Sequence, residues 1–222
     1  MSDLLIAAPL RLEAAMIKLG LRGATQPAAT SSSTPLAGTP RPGTPPAQTA
    51  GMRPARVQQT GMGPRRSREA QAALAGDPAR RILVMGFGGG LDEFGEVGDA
   101  IVAEEVLGPD GERVACVGAE QLAATLLAGG MTVRRGVVAS VERLAMGAAR
   151  TELRERGAIA VDMESVWLAP AAGERPFAVV RIISDTPGRE LTRPLATVAG
   201  VARASAALAR AARSVQRWAP EG

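Results

Sequence analysis

The chain has 222 residues, with 26 Lys+Arg against 22 Asp+Glu, 46% apolar residues, one cysteine, and no histidine or tyrosine. Without histidine there is no Ser–His–Asp or Cys–His relay, no His-bound zinc or iron, and no imidazole titrating near neutral pH. The lone Cys116 forms neither an internal disulfide nor a thiolate cage, so any chemistry falls to carboxylates, hydroxyls, arginines or backbone amides.

The sequence pI of 10.7 overstates the positive charge. With one lysine (Lys18) and no His or Tyr, almost nothing titrates between the carboxylates and the arginines, so a modest +4 persists to high pH. Nucleic-acid binding needs a dense basic stripe or stacking aromatics, and this chain offers only Phe87, Phe94, Phe177, Trp167 and Trp218. No nucleic-acid partner is expected. No segment reaches the roughly 18 apolar residues of a membrane span, and the N-terminal apolar run lacks a basic region before it. A cytoplasmic protein is expected.

Along the chain, Leu4–Ala8 reads as a strand and Leu10–Leu21 as a helix. Residues 24–51 are Ala/Thr/Ser/Pro/Gly-rich, with Pro27, Pro35, Pro40, Pro42, Pro45 and Pro46, and read as a disordered insert within a single domain covering 1–222. Ala55–Thr60 is a strand pattern and Pro64–Ala75 a helix opened by proline. Ile82–Phe87 is apolar throughout, as in a strand buried on both faces, and a glycine loop follows it. Strands are predicted at Ala100–Val106, Val133–Ser140, Ile159–Asp162 and Phe177–Ser184, with helices at Glu120–Ala128, Leu144–Arg156 and Met163–Leu168. A last helix spans about Thr197 to Trp218, with an apolar face (Val198, Val201, Leu208, Ala212, Val215) and an arginine face (Arg203, Arg210, Arg213, Arg217). That pattern suits an outer-layer helix covering a sheet; contact with a membrane surface is the other reading. The alternation predicts a three-layer αβα fold around a mixed, largely parallel central sheet.

Candidate chemistry falls at strand ends, where open α/β sheets bind ligands. Gly86-Phe-Gly-Gly-Gly-Leu91 lacks the Gly-Lys-Ser/Thr of a P-loop and the spacing of a dinucleotide fingerprint, yet lets a ligand approach the backbone. Thr60-Gly-Met-Gly-Pro64 would aim helix N-terminal amides at an anion or a hydroxyl. The acidic candidates are Glu13, Asp162, Glu164 and Asp185; Arg181, inside an apolar strand, is either an ion-pair partner or a ligand clamp.

Ala160-Val-Asp-Met-Glu-Ser165, followed by Val-Val-Arg-Ile-Ile-Ser-Asp-Thr186, resembles the paired signature of the nucleoside phosphorylase/nucleosidase superfamily. Thr60-Gly-Met-Gly63 is similar to its second glycine turn, and Met85–Asp92 with Val97-Gly-Asp99 to its central glycine segment and the start of the next strand. Within that superfamily, Asp185–Leu195 looks most like the bacterial hopanoid-associated phosphorylases, proposed to remove adenine from adenosylhopane.

The resemblance implies cleavage of a purine N-glycosidic bond through an oxocarbenium-like cation. Asp185 matches the acid for purine N7, with Ser184 holding it; Glu164 matches the acceptor of the ribose hydroxyls; Met163 packs on the sugar; Glu13 positions the attacking water. Arg181 supports Glu13 or binds an anion, and Gly63, Phe87, Gly88 and Gly89 border the substrate. No metal or organic cofactor is implied. The partner is a small purine nucleoside, in one reading lipid-linked, and a homo-oligomer is expected.

Three departures matter. Leu83, Val84 and Met85 stand where bacterial purine nucleoside phosphorylases carry an arginine before the glycine loop, which favours water over phosphate as nucleophile, although Arg65, Arg66 and Arg68 offer an alternative phosphate site. With no histidine to hold a 5′-hydroxyl, the substrate's 5′ end is expected to be apolar. The aromatic that stacks on the base is missing near Val137–Val141. Phosphorolysis, a futalosine hydrolase-like activity and a non-catalytic nucleoside- or lipid-binding module are the alternatives.

Overall fold

The computed structural model describes residues 3–23, 55–187 and 194–219, with the side chains of 194–197 excepted. The Pro-rich insert and most of Asp185–Leu195 therefore lie outside the described residues.

Among the described residues eight strands form one mixed sheet with six α-helices around it. Strand β1 (Leu4–Ala8) lies between β2 (Arg56–Gln59) and β3 (Arg81–Gly90), parallel to both. β3 runs parallel to β8 (Phe177–Asp185) and meets β7 (Ala158–Asp162) antiparallel at its glycine end. β7 is parallel to β6 (Val133–Ser140), which is parallel to β4 (Ala100–Leu107). β4 also pairs antiparallel with β8, so β3, β7, β6, β4 and β8 close a ring. The short β5 (Arg113–Ala115), not foreseen in the sequence, edges β4.

Helices cover both faces. On one, α1 (Arg11–Gly23), α3 (Ala119–Ala128) and α6 (Pro194–Val215) bury Ile17, Leu122, Leu208 and Val215 against Ile6, Met85 and Ile182. On the other, α2 (Pro64–Ala75) and α5 (Ser165–Leu168) cover Val84, Val179 and Ile183. The three-layer arrangement is thus present. Leu208, Ala212 and Val215 of the apolar stripe of α6 are buried against α1 and the sheet, as in an outer-layer helix. Val198, placed on the same face in the sequence, is 70% exposed because it lies at the start of the helix, beyond the packed core. No helix among the described residues is long and apolar enough to cross a membrane. The short α4 (Ala148–Glu155) packs Leu153 in a small separate core with Val161 of β7.

Two sequence expectations are corrected. The predicted helix at Leu144–Arg156 starts only at Ala148, after Gly147 at φ 50°. The glycine run after Phe87 is not a loop but the end of β3, hydrogen-bonded to β8 and β7. Its glycines are needed because charged side chains lie against the strand. A Cβ at Gly86 would stand 2.6 Å from Glu13 Oε1, one at Gly88 3.0 Å from Arg181 Cβ, and one at Gly89 2.9 Å from Arg150 Nη2. The C-terminal ends of β3, β7 and β8 converge there, which places the candidate residues together.

Candidate active site

Glu13 sits in the first turn of α1. Its Oε2 accepts the backbone N–H of Leu10 at 2.6 Å, half of a capping box, and its Oε1 accepts that of Phe87 at 2.6 Å. One carboxylate thus ties the start of a helix to the glycine strand. Burial pushes the Glu13 carboxyl above its usual range; the Arg181 guanidinium and the two amides oppose that push.

Asp162 ends β7, and its Oδ1 accepts the N–H groups of Glu164 (3.1 Å) and Ser165 (3.2 Å) and the Ser140 hydroxyl (2.6 Å). It therefore caps α5 from a buried position. Its Oδ2 takes the Ser165 hydroxyl and Arg181 Nε, the latter at 2.8 Å. Arg181, fully buried, also reaches Glu164 Oε2 at 3.2 Å, the Ser165 hydroxyl at 3.0 Å and the Phe87 carbonyl at 3.3 Å. Of the two readings left open for Arg181, the structure shows the ion-pair partner.

Glu164 Oε1 accepts the Gly63 N–H at 3.1 Å. Gly63, at φ 84° before Pro64, turns its amide toward an anion as the glycine turn suggests, and that anion is the protein's own Glu164. Burial, with Asp162 and Glu13 adding to it, pushes the Glu164 carboxyl up to about 7 against the pull of Arg181. One arginine thus faces three acids, Glu13, Asp162 and Glu164.

Asp185 stands across the glycine strand. Its Oδ1 accepts the Ser184 hydroxyl at 3.0 Å, and its Oδ2 is paired with Arg150 Nη2. Arg150 was missed in the sequence, where it sits among the charged residues of a surface-type helix. The structure buries it, with Nε on the Ala145 carbonyl (3.0 Å) and Nη1 on the Gly90 carbonyl (3.1 Å).

These groups border one cavity of about 290 Å³. Glu13, Asp162, Glu164 and Asp185 supply its carboxylates, and Gly88, Gly89, Met163 and Ser184 its floor. Pro9, Leu10, Leu12, Met62, Phe87 and Val201 line an apolar side. A small recess of about 40 Å³ adjoins it between Asp185, Arg150, Val141, Leu144 and Val161. Its apolar walls, Val141, Leu144 and Val161, are aliphatic where the sequence lacks a stacking aromatic. Arg181 and Gly63 lie behind this surface and act on the cavity through Glu164. The arginines of α2 face elsewhere: Arg65 and Arg66 pair with Glu69, and Arg68 lies over the Trp167 ring. Among the described residues no group of three or more His, Cys, Asp or Glu side chains is placed to hold a metal ion.

The model of the phosphorylase superfamily matches residues 47–217. No curated protein sequence matches the chain. Among solved structures, the futalosine hydrolase of Helicobacter pylori strain 26695 is similar with a TM-score of 0.70 at 18% identity, over 96% of each chain. The 5′-methylthioadenosine/S-adenosylhomocysteine nucleosidase of Neisseria meningitidis, in complex with methylthio-immucillin-A, gives 0.71 at 20% identity over 98% of this chain and 100% of that one. The corresponding H. pylori nucleosidase, with butyl-thio-DADMe-Immucillin-A, gives 0.69 at 18% identity over 95% and 96%. The fold is shared over nearly the whole length, and the family match covers most of the sequence: the chain belongs to the phosphorylase superfamily, the family of nucleosidases and nucleoside phosphorylases.

Proposed function

We propose that the protein cleaves the N-glycosidic bond of a 5′-substituted purine nucleoside, adenosylhopane-like in having an apolar 5′ group, and releases adenine by hydrolysis. The observation that carries this reading is the convergence of Glu13, Glu164 and Asp185 on one cavity. In this reading Glu164 accepts the ribose hydroxyls and sets negative charge beside the cation, and Met163 packs on the sugar. Glu13 takes a proton from the attacking water as its oxygen bonds to C1′. The C1′–N9 electron pair moves onto the purine, which takes a proton at N7 from Asp185. Recovery of that proton by Asp185 and its loss from Glu13 complete the cycle.

Water is favoured over phosphate because, among the described residues, those lining the cavity include four acids and neither arginine nor lysine. A phosphate dianion would meet Glu13 and Glu164, with Arg181 already engaged by these acids and no described lining residue offering a guanidinium. The apolar 5′ group is supported by the Pro9, Leu10, Leu12, Met62 and Val201 side of the cavity and by the absence of histidine from the chain.

The test is chromatography for free adenine after incubation with 5′-methylthioadenosine and longer 5′-alkylthioadenosines, with and without phosphate. Adenine release independent of phosphate and lost in Asp185→Asn is the expected result. Release that requires phosphate would replace hydrolysis by phosphorolysis, and no release from any adenosine would remove the proposal.

A further inference from the structure

One member of a buried ion pair at the cavity, Arg150, has no part in the scheme above. Arg150 enters from α4 and is held flat by two backbone carbonyls, those of Ala145 and Gly90, so its guanidinium has a fixed plane. Its remaining contact is Asp185 Oδ2. The strand beneath has been cleared for it, since any side chain at position 89 would collide with Nη2. Asp185 is thereby gripped by both oxygens, Oδ2 by Arg150 and Oδ1 by the Ser184 hydroxyl, which itself lies 3.3 Å from the Gly88 carbonyl. A carboxylate held this way cannot rotate about its last torsion. Both side chains of the pair are only 5% exposed, with Val141, Leu144 and Val161 beside them, so its field is less screened than in water.

We infer that Arg150 is a positioning residue for departure of the base: it fixes the orientation of the Asp185 carboxyl and stabilises the carboxylate that remains once Asp185 has given its proton to the purine. This rests on the reading of Asp185 as the acid. During the step the O–H bond of Asp185 breaks, the N7–H bond forms, and the electron pair left on the carboxyl falls beside a guanidinium already in place. The Arg150–Asp185 ion pair is the arrangement this transfer produces. Preorganised charge of this kind acts where charge develops, without reorganisation during the reaction. The competing explanation is that Arg150 only staples α4 to β3 through the two carbonyls.

The two explanations separate on a leaving group that needs no proton. Steady-state rates are compared for wild type, Arg150→Met, Arg150→Lys and Asp185→Asn on 5′-methylthioadenosine and on p-nitrophenyl 5-methylthioriboside, whose nitrophenolate departs unprotonated. General acid help is worth roughly 10²–10⁴-fold. The expected result is a kcat loss of about 100-fold for Arg150→Met on the adenosine, with KM changed little, and a loss under about threefold on the nitrophenyl riboside. Asp185→Asn should show the same contrast. Arg150→Lys keeps a positive charge at Asp185 without the flat fork and should recover part of the adenosine rate. If Arg150→Met does not fold, the lysine variant carries the test, with about tenfold lost on the adenosine alone. Equal losses on both substrates would overturn the inference and leave a staple. Arg150 variants that cleave the adenosine at the wild-type rate would overturn it as well. An Asp185→Asn enzyme with full adenosine activity would remove the underlying reading instead, and so would a wild type that cleaves neither substrate.

Discussion

The two sides of the cavity handle buried charge differently. On the Glu164 side a single guanidinium, Arg181, faces Asp162, Glu164 and Glu13, so acids outnumber the base three to one. On the Asp185 side, among the described residues, Arg150 pairs with one carboxylate, and the two partners make further hydrogen bonds to two carbonyls and a hydroxyl. A matched pair holds its charges in place. On the unmatched side burial, with the neighbouring acids adding to it, raises the affinity of Glu13 and Glu164 for protons against the pull of Arg181. In the proposed reaction the unmatched side must accept hydrogen bonds and a proton from water, and the matched side must hold the carboxylate left once Asp185 has given its proton away.

The largest effect should come from removing the arginine that serves three acids. Breaking a buried pair by deleting one partner costs about 3–5 kcal/mol because an uncompensated charge stays behind. Arg181→Met leaves Asp162 and Glu164 without their guanidinium, whereas Arg150→Met leaves only Asp185. Arg181→Met is expected to lose more than about 4 kcal/mol or not to fold, and Arg150→Met to lose less, by urea denaturation at pH 7.5. An Arg150 variant less stable than the Arg181 variant would show that the imbalance does not govern this site.

Next in size is the contact that brings Glu13 into the cluster. Gly86→Ala would set a methyl group 2.6 Å from Glu13 Oε1 and 3.0 Å from Arg181 Nη1. Glu13 must shift, and a displacement of about 1 Å in a reacting group can cost 10²-fold in rate. Gly86→Ala is therefore expected to lower kcat about 100-fold while far-UV circular dichroism stays unchanged. Wild-type kcat in this variant would mean that Glu13 takes no part in the reaction.

What could be read from sequence follows from how local each signal is. Glu13, Asp162, Glu164 and Asp185 stand at strand ends or helix starts, where a run of apolar residues stops at an acid, and that is visible in a window of a few residues. Arg150 is not visible there. Its neighbours Thr151, Glu152 and Arg154 read as a solvated helix, and what buries it is the approach of β3, sixty residues earlier in the chain. The only trace lies in the glycines at 86, 88 and 89, which look like a ligand loop until their missing side chains are matched to Glu13, Arg181 and Arg150. The mixed sheet and helical layers were readable from alternating periodicities. The closure of the ring by the β4–β8 pairing was not, since strand order depends on long-range contacts.

A third prediction uses pH to separate the two sides. With the Glu164 carboxyl raised from its usual value to about 7, the folded protein holds a proton there that the unfolded chain has released above about pH 4.5. The stabilisation is complete below that value and is lost as pH rises through 7, a change on the order of 3 kcal/mol at most. Wild-type Tm should therefore fall between pH 5 and 8 relative to Glu164→Gln, whose side chain does not titrate. Activity should run the other way, because Glu164 accepts ribose hydroxyls only as the carboxylate: kcat/KM should rise toward pH 8 with an apparent midpoint near 7. A wild-type Tm that tracks Glu164→Gln across this range would place the excess proton elsewhere in the cluster.

The smallest effect belongs to the matched side. Ser184→Ala removes the hydroxyl that donates to Asp185 Oδ1 but leaves Arg150 on Oδ2, so the carboxyl loses one of its two grips. A hydrogen bond to a charged group contributes about 1.5–3 kcal/mol when buried and less when its partner retains a second strong donor. The Ser184 hydroxyl is half-buried, and water from the cavity can replace it on Oδ1. The expected cost is about 1 kcal/mol in stability and a three- to tenfold drop in kcat on an adenosine, well short of that for Arg150→Met. In the double variant the two losses should exceed their sum, because once Arg150 is gone the hydroxyl is the one named donor left to hold the carboxyl in plane. A strictly additive double variant would mean that Ser184 and Arg150 act on Asp185 independently, and that the carboxyl is oriented by the strand alone.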